Sequence, residues 1–226
     1  MMAEISHELM EMLTCQTAFT IGGIPIAEST VVTWVIMVVM VLGAILLTRG
    51  FRVENPGRRQ VIVEGFVTFL QNVLKGNLEE TGEKVSAYLV TVLIYLGLAN
   101  MMGLFGMKPP TKDLNVTVAL ALMSIILVEY LTIRHKGIKG RVKAFAEPVK
   151  FIAPMNVMEL AIKPVSLCMR LFGNILGAFT IMELIKICVP AVLPVPFALY
   201  FDIFDALLQA YIFVFLTSMY IKEALE

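Results

Sequence analysis

Ser166-Leu167-Cys168-Met169-Arg170-Leu171-Phe172-Gly173-Asn174 sets a single arginine in the middle of an apolar stretch that otherwise looks built for lipid. An arginine at bilayer depth costs roughly 2.5–3.5 kcal/mol on insertion scales and more in simulations, so it normally faces a partner charge or a water-filled cavity. That makes Arg170 a functional-site candidate. The inert alternatives are a side chain snorkelling to the headgroups or one locked in a structural ion pair.

The rest of the chain supplies the membrane. Of 226 residues, 58% are hydrophobic and 16% charged, whereas soluble domains average about 45–50% apolar and about 25% charged. The runs Val31–Thr48, Val85–Phe105 and Val116–Ile133 approach or reach the roughly 20 residues needed to cross a hydrocarbon core of about 30 Å. No polar stretch is long enough to bury a core of its own. The reading is one polytopic membrane domain over residues 1–226.

A formal net charge of zero hides a strong asymmetry. Residues 1–28 hold Glu4, Glu8, Glu11 and Glu28 but no lysine or arginine. The next loop carries Arg49, Arg52, Arg58 and Arg59, and residues 134–150 carry Arg134, Lys136, Lys139, Arg141, Lys143 and Lys150. The positive-inside rule makes both basic segments and the C-terminus cytoplasmic and puts the N-terminus outside. The loop Gly106–Leu114 falls outside by alternation. Juxtamembrane lysines determine topology, so the basic stretch is not read as a nucleic-acid patch. The start of the chain lacks a basic region before its first apolar run and is not expected to be an ordinary secretory signal. Cys15, Cys168 and Cys188 follow no metal spacing. Neither a metal nor another cofactor is expected, and no residue is assigned to catalysis.

The expected architecture is all-α. Residues 29–48 form one vertical transmembrane helix. Asn55-Pro56-Gly57 breaks the chain, and residues 60–78 read as an amphipathic surface helix, with Val63, Phe66, Val67, Leu70, Val73 and Leu74 at helical spacing. Helices over 85–105 and 115–134 form a transmembrane hairpin, with Asp113 or Asn115 as the N-cap of the second. The regions 147–189 and 195–222 are two long helices, separated by Pro190-Ala191-Val192-Leu193-Pro194-Val195-Pro196. A continuous helix from Phe151 to Val189 would approach about 60 Å, twice the hydrocarbon thickness. It has to be steeply tilted, broken or folded back, and two oblique antiparallel helices are expected.

Glu159, Lys163, Arg170 and Asn174 recur at intervals that place all four on one helical stripe. Gly173 and Gly177 flank it, and small residues let another helix approach closely. Those glycines serve either a neighbouring subunit or packing within the chain. On the last helix Asp202, Asp205 and Gln209 share a face, and antiparallel packing brings Gln209 toward Arg170 with the aspartates nearer the outer end. Glu183 and Lys186 lie toward that end too. The pairs Glu159–Lys163 and Glu183–Lys186 read equally as local ion pairs. Polar groups thus sit at two levels with a fixed positive charge between them, an arrangement that suits two offset aqueous half-channels. Nothing in the chain supplies a mobile carboxylate for Arg170, so a partner protein has to bring it.

The run from Lys163 through Asn174 closely resembles the signature of subunit a of F-type ATP synthases. Asp113–Leu122, Leu208–Phe213, Asn55-Pro56-Gly57-Arg58 and Asn100-Met101-Met102-Gly103-Leu104 extend the resemblance over about residues 29–222. It implies a non-catalytic, ion-translocating stator subunit of a bacterial plasma membrane. Its partners would be a ring of c subunits, each with one ion-carrying carboxylate, a b-subunit peripheral stalk and the remainder of the synthase. By resemblance Arg170 faces the ring, Gln209 is its neighbour, and Glu159 and Asn174 match polar positions near the ion path. Two positions depart from the pattern. Phe179 stands where many relatives have glutamate, and Asp202 where some have histidine. The outer half-channel is therefore expected to be rebuilt from Asp202, Asp205 and Glu183.

The competing reading is a self-contained secondary transporter with Arg170 binding an anionic substrate. Such folds commonly carry internal repeats with interrupted helices. No repeat symmetry is visible in this sequence.

Overall fold

The computed structural model describes residues 17–21, 24–53, 55–75, 83–105, 107–146, 153–188 and 194–225. A short antiparallel hairpin, β1 (Thr17–Ile21) and β2 (Ile24–Ala27), precedes the helices. Among the described residues seven α-helices follow: α1 (Glu28–Thr48), α2 (Arg58–Lys75), α3 (Glu83–Asn100), α4 (Leu114–Ala146), α5 (Ala153–Cys188), α6 (Pro194–Leu199) and α7 (Ala206–Leu225). A 3-10 turn, Met101–Phe105, extends α3, and a second, Pro110–Lys112, leads into α4. A π-helical turn, Tyr200–Asp205, joins α6 to α7. Among the described residues five helical stretches are long and apolar enough to span a membrane: Glu28–Thr48, Val85–Leu104, Leu114–Gly137, Pro154–Met182 and Pro196–Leu225. The chain is an all-α membrane protein, apart from the unanticipated β1–β2 hairpin.

The core is where α3, α4, α5 and α7 meet. Leu89, Leu96 and Ala99 of α3, Ala121 of α4, Leu167 and Leu171 of α5, and Phe213 and Val214 of α7 are almost completely buried. Helix α4 packs on both α5 and α7, and α3 packs on α7. Helix α1 behaves differently. Of its side chains only Ile36 is buried, while Val38, Val39, Leu42, Ile45 and Leu46 are more than half exposed. A helix apolar on all sides with so few protein contacts is a helix for lipid. Helix α2 exposes Ile62, Phe66, Phe69 and Val73 on one stripe and buries Leu74.

Several boundaries differ from the sequence-based expectation. Helix α2 begins at Arg58 rather than at residue 60 and is described to Lys75; residues 76–78 and its expected close at Thr81-Gly82 lie outside the described residues. Helix α4 runs past 134 to Ala146, kinked at Gly137, whose φ of 73° is open to a residue without a side chain. Pro164 does not break α5, which runs unbroken for 36 residues. At 1.5 Å per residue that is about 54 Å, well beyond the hydrocarbon thickness.

Asp113 ties α4 to α1 at one end of the bundle. Its Oδ1 accepts the backbone N–H of Asn115 at 2.9 Å, an N-cap for α4, and its Oδ2 accepts the Ser29 hydroxyl of α1 at 2.6 Å. A capping aspartate satisfies a helix N–H that has no partner of its own. Asp113→Ala removes both bonds. Loss of the cap alone costs about 1 kcal/mol, and thermal unfolding of the purified subunit in detergent should show a lowered midpoint. An unchanged midpoint would mean that water caps α4 equally well.

Candidate functional site

Helix α5 and the π-helical turn leading into α7 carry most of the polar groups. Asn174 lies on the face of α5 turned toward the π-helical turn, where its Nδ2 donates to Asp205 Oδ2 at 2.8 Å. The turn owes its π character to a wide bond, from the Ala206 N–H to the Phe201 carbonyl. Such bulges are frequent at functional sites because they redirect side chains without ending the helix. Tyr200 packs edge-on against Phe201 and stacks on Phe204, with ring centroids 5.2 Å and 5.4 Å apart.

Beside the Asn174–Asp205 bond lies a cavity of about 370 Å³. Asp202 and Asp205 come from the π-helical turn, Gln209 from the start of α7, Asn174 and Phe179 from α5, and Lys112 from the turn before α4. Two aspartates, two lysines (Lys108 and Lys112) and three amide residues (Asn100, Asn174 and Gln209) thus line one space. Gln209 is only 4% exposed, and its Nε2 has no hydrogen-bond partner among the described residues. An unsatisfied buried donor costs about 1–3 kcal/mol, so this one calls for water or a ligand atom. Lys112 Nζ sits 3.6 Å from the centroid of the Phe179 ring. Where the family resemblance expects an acid, an aromatic face therefore receives a cation.

A buried polar network fixes the wall. Thr111 Oγ1 donates to Asn100 Oδ1 at 2.7 Å, and Asn100 Nδ2 donates to the Ala206 carbonyl at 3.3 Å. The end of α3, the turn before α4 and the start of α7 are clamped together at the junction that carries the aspartates. Sequence reasoning assigned no role to Asn100, Thr111, Lys108 or Lys112. The available signal was their polarity at the ends of otherwise apolar spans.

Arg170 lies one turn before Asn174 but outside this cavity. It is exposed, and it forms no hydrogen bond or ion pair with any described residue. Gln209 does not bond to it; near this level α5 is linked to the π-helical turn by Asn174 and Asp205 instead. A Cβ built on Gly173 or Gly177 would meet nothing within 4 Å. Among the described residues, therefore, no side chain or neighbouring helix packs closely on either glycine. Val165, Met169 and Ile181 extend the same exposed apolar face, and Leu167, Cys168 and Leu171 line the buried one.

At the other end of α5, Lys163 Nζ is 3.0 Å from both Glu159 and Glu223, joining α5 to α7. Glu159 thus forms the local pair that its spacing allows and stands apart from the cavity. The side chains of Glu183 and Lys186 lie outside the described residues.

The chain matches the family model described as ATP synthase A chain over residues 30–222. It is 36% identical to the ATP synthase subunit a of Moorella thermoacetica, over 91% of this chain and 94% of that protein. It is also 36% identical to ATP synthase subunit a 1 of Hahella chejuensis, over 91% and 87% respectively. A sodium ion specific ATP synthase subunit a from Propionigenium modestum is 28% identical over 93% of this chain and 78% of its own length.

The Asn174–Asp205 bond predicts coupling between the two positions. Asn174→Ala and Asp205→Ala, measured singly and together by unfolding of the purified subunit, should be non-additive by about 1 kcal/mol, as for residues sharing one hydrogen bond. Additive effects would mean that the two side chains do not support one another.

Proposed function

The chain belongs to the ATP synthase A chain family, and on that premise we propose that it is the ion-translocating stator subunit of the rotary synthase. It is a multi-pass protein of a bacterial membrane, and it carries ions without acting chemically on ATP. Its partners are a ring of c subunits, a b-subunit peripheral stalk and the rest of the complex. The observation that carries this reading is Arg170. It is a charge with no partner among the described residues, on an exposed apolar face, beside two glycines with open space above them and one turn from an acid-lined cavity.

Each feature has a role in that reading. The open glycines let the ring's helices approach. Asp202, Asp205, Asn174 and Gln209 form the outer half-channel, together with Glu183 on the same helix as Asn174. Lys108 and Lys112 on the cavity wall belong to the loop assigned to the outside, so this cavity opens outward. Glu159, with Lys163 and Glu223, lies toward the cytoplasmic exit. Single polytopic domain, tilted α5 and cytoplasmic C-terminus complete the arrangement.

Arg170 separates the two paths. Two unit charges 4 Å apart gain about 1 kcal/mol in bulk water and about 4 kcal/mol at an effective dielectric constant near 20. A ring carboxylate passing Arg170 is favoured in its charged form and releases its ion toward the exit path. Rotation then carries the emptied site on to the other half-channel for reloading. The fixed charge also stops a cation from leaking directly between the paths.

Two outcomes are expected in vesicles containing the assembled synthase. Arg170→Ala abolishes both ATP-driven pumping and gradient-driven synthesis while the c ring still co-purifies. Lysine rescues poorly because it lacks the always-charged planar fork of donors. Normal coupled pumping by an assembled Arg170→Ala complex would sink the mechanism. Asp202→Asn slows synthesis by limiting ion entry, and a wild-type rate would remove Asp202 from the path. The topology has its own check. A cysteine placed at Lys139 should react with membrane-impermeant reagents only from the cytoplasmic side, and labelling in intact cells would reverse the orientation.

A further inference from the structure

Asp202 rests against bare backbone. Gly103 lies in the 3-10 turn that extends α3. A Cβ built on it would stand 2.8 Å from Asp202 Oδ1, 3.2 Å from Cγ and 3.5 Å from Oδ2. Oδ1 occupies space that a side chain at position 103 would enter, Cγ would be crowded, and Oδ2 would be in ordinary contact. Both residues line the cavity. The backbone on either side has little room to give, because Asn100 anchors the end of α3 to Thr111 and to the Ala206 carbonyl. The side chain of Asp202 would have to yield instead. Gly97 of α3 provides the contrast, since a Cβ there would meet only Leu207 Cδ2, at an ordinary 3.6 Å.

We infer that Gly103 is a positioning residue for ion transfer: by lacking a side chain it admits the Asp202 carboxylate to one fixed place on the cavity wall. The two positions work as a matched pair. An acid at 202 requires an empty 103, and an acid at 103 with an empty 202 would bring a carboxylate into the same space from the opposite wall. This inference rests on the assignment of Asp202 to the outer ion path.

The assembled synthase in membrane vesicles provides the test, with gradient-driven ATP synthesis normalised to the amount of ring co-purifying with each variant. Gly103→Ala should lower synthesis about tenfold to a hundredfold, since a misplacement near 1 Å can cost up to about 10²-fold in a positioned transfer step. Gly97→Ala should run at the wild-type rate. Asp202→Gly should be slow, and adding Gly103→Asp to it should restore synthesis several-fold. A merely structural glycine would not be rescued by an acid. Full activity of Gly103→Ala overturns the inference, and so does a double variant no faster than Asp202→Gly alone. If Gly103→Ala fails to assemble, the exchange variant decides by itself. A slow Asp202→Asn beside a fast Gly103→Ala sinks only the role of Gly103. A fast Asp202→Asn sinks the outer-path assignment on which it stands.

Discussion

A polar or charged group placed among apolar side chains and lipid must find a partner in the protein, water in a cavity, or a neighbouring molecule. This requirement organises the structure. Asp113 answers it by capping α4 and holding the Ser29 hydroxyl. Asn100 answers it through Thr111 and the Ala206 carbonyl, and Asn174 through Asp205. Lys163 answers it between two glutamates on different helices. In each case the bond that satisfies the group also joins two helices, so the polar residues brace the bundle as well as furnish its site. Arg170 and the Gln209 amide nitrogen are left out of this pattern. One looks outward from α5 and the other inward to the cavity.

Helix α5 separates these two environments by its periodicity. Leu167, Cys168 and Leu171 are buried against the bundle, whereas Val165, Met169, Arg170 and Gly173 face outward. Asn174, between the two faces, reaches the cavity. A 3.6-residue repeat can therefore present a charge to a partner and an amide to water within one turn. The π-helical turn opposite does related work. It interrupts the regular repeat where two aspartates must share one space, and its aromatic side chains pack on one another to hold the wider geometry.

The cavity is electrostatically mixed. Lys112 enters it over the face of Phe179, opposite the aspartates of the π-helical turn. An aromatic ring takes up an ammonium through its quadrupole without adding a negative charge. The acids on the wall are therefore confined to Asp202 and Asp205 among the described lining residues. Their placement, rather than their number, becomes the quantity that the surrounding residues control.

Much was legible in the linear sequence because hydrophobic length and charge placement are local quantities. Five spans, the basic loops, an N-cap at Asp113 or Asn115 and the shared face of Asp202, Asp205 and Gln209 all follow from spacing and side-chain chemistry, and the structure places the cap on Asp113. The stripe of Arg170, Gly173 and Gly177 was legible in the same way. Which face of that stripe met the rest of the chain was not, because it depends on where α4 and α7 pack. The absence of a bond between Gln209 and Arg170 has the same origin, as does the open space above the glycines. The clamp of Asn100 on Thr111 and Ala206 joins residues far apart in the chain, and no periodicity reports such a pairing. The π-helical turn escaped because an inserted residue leaves the apolar pattern nearly unchanged. The approach of Gly103 to Asp202 is the clearest case. A glycine in a sequence states only what is missing, and the tertiary structure decides what fills the space.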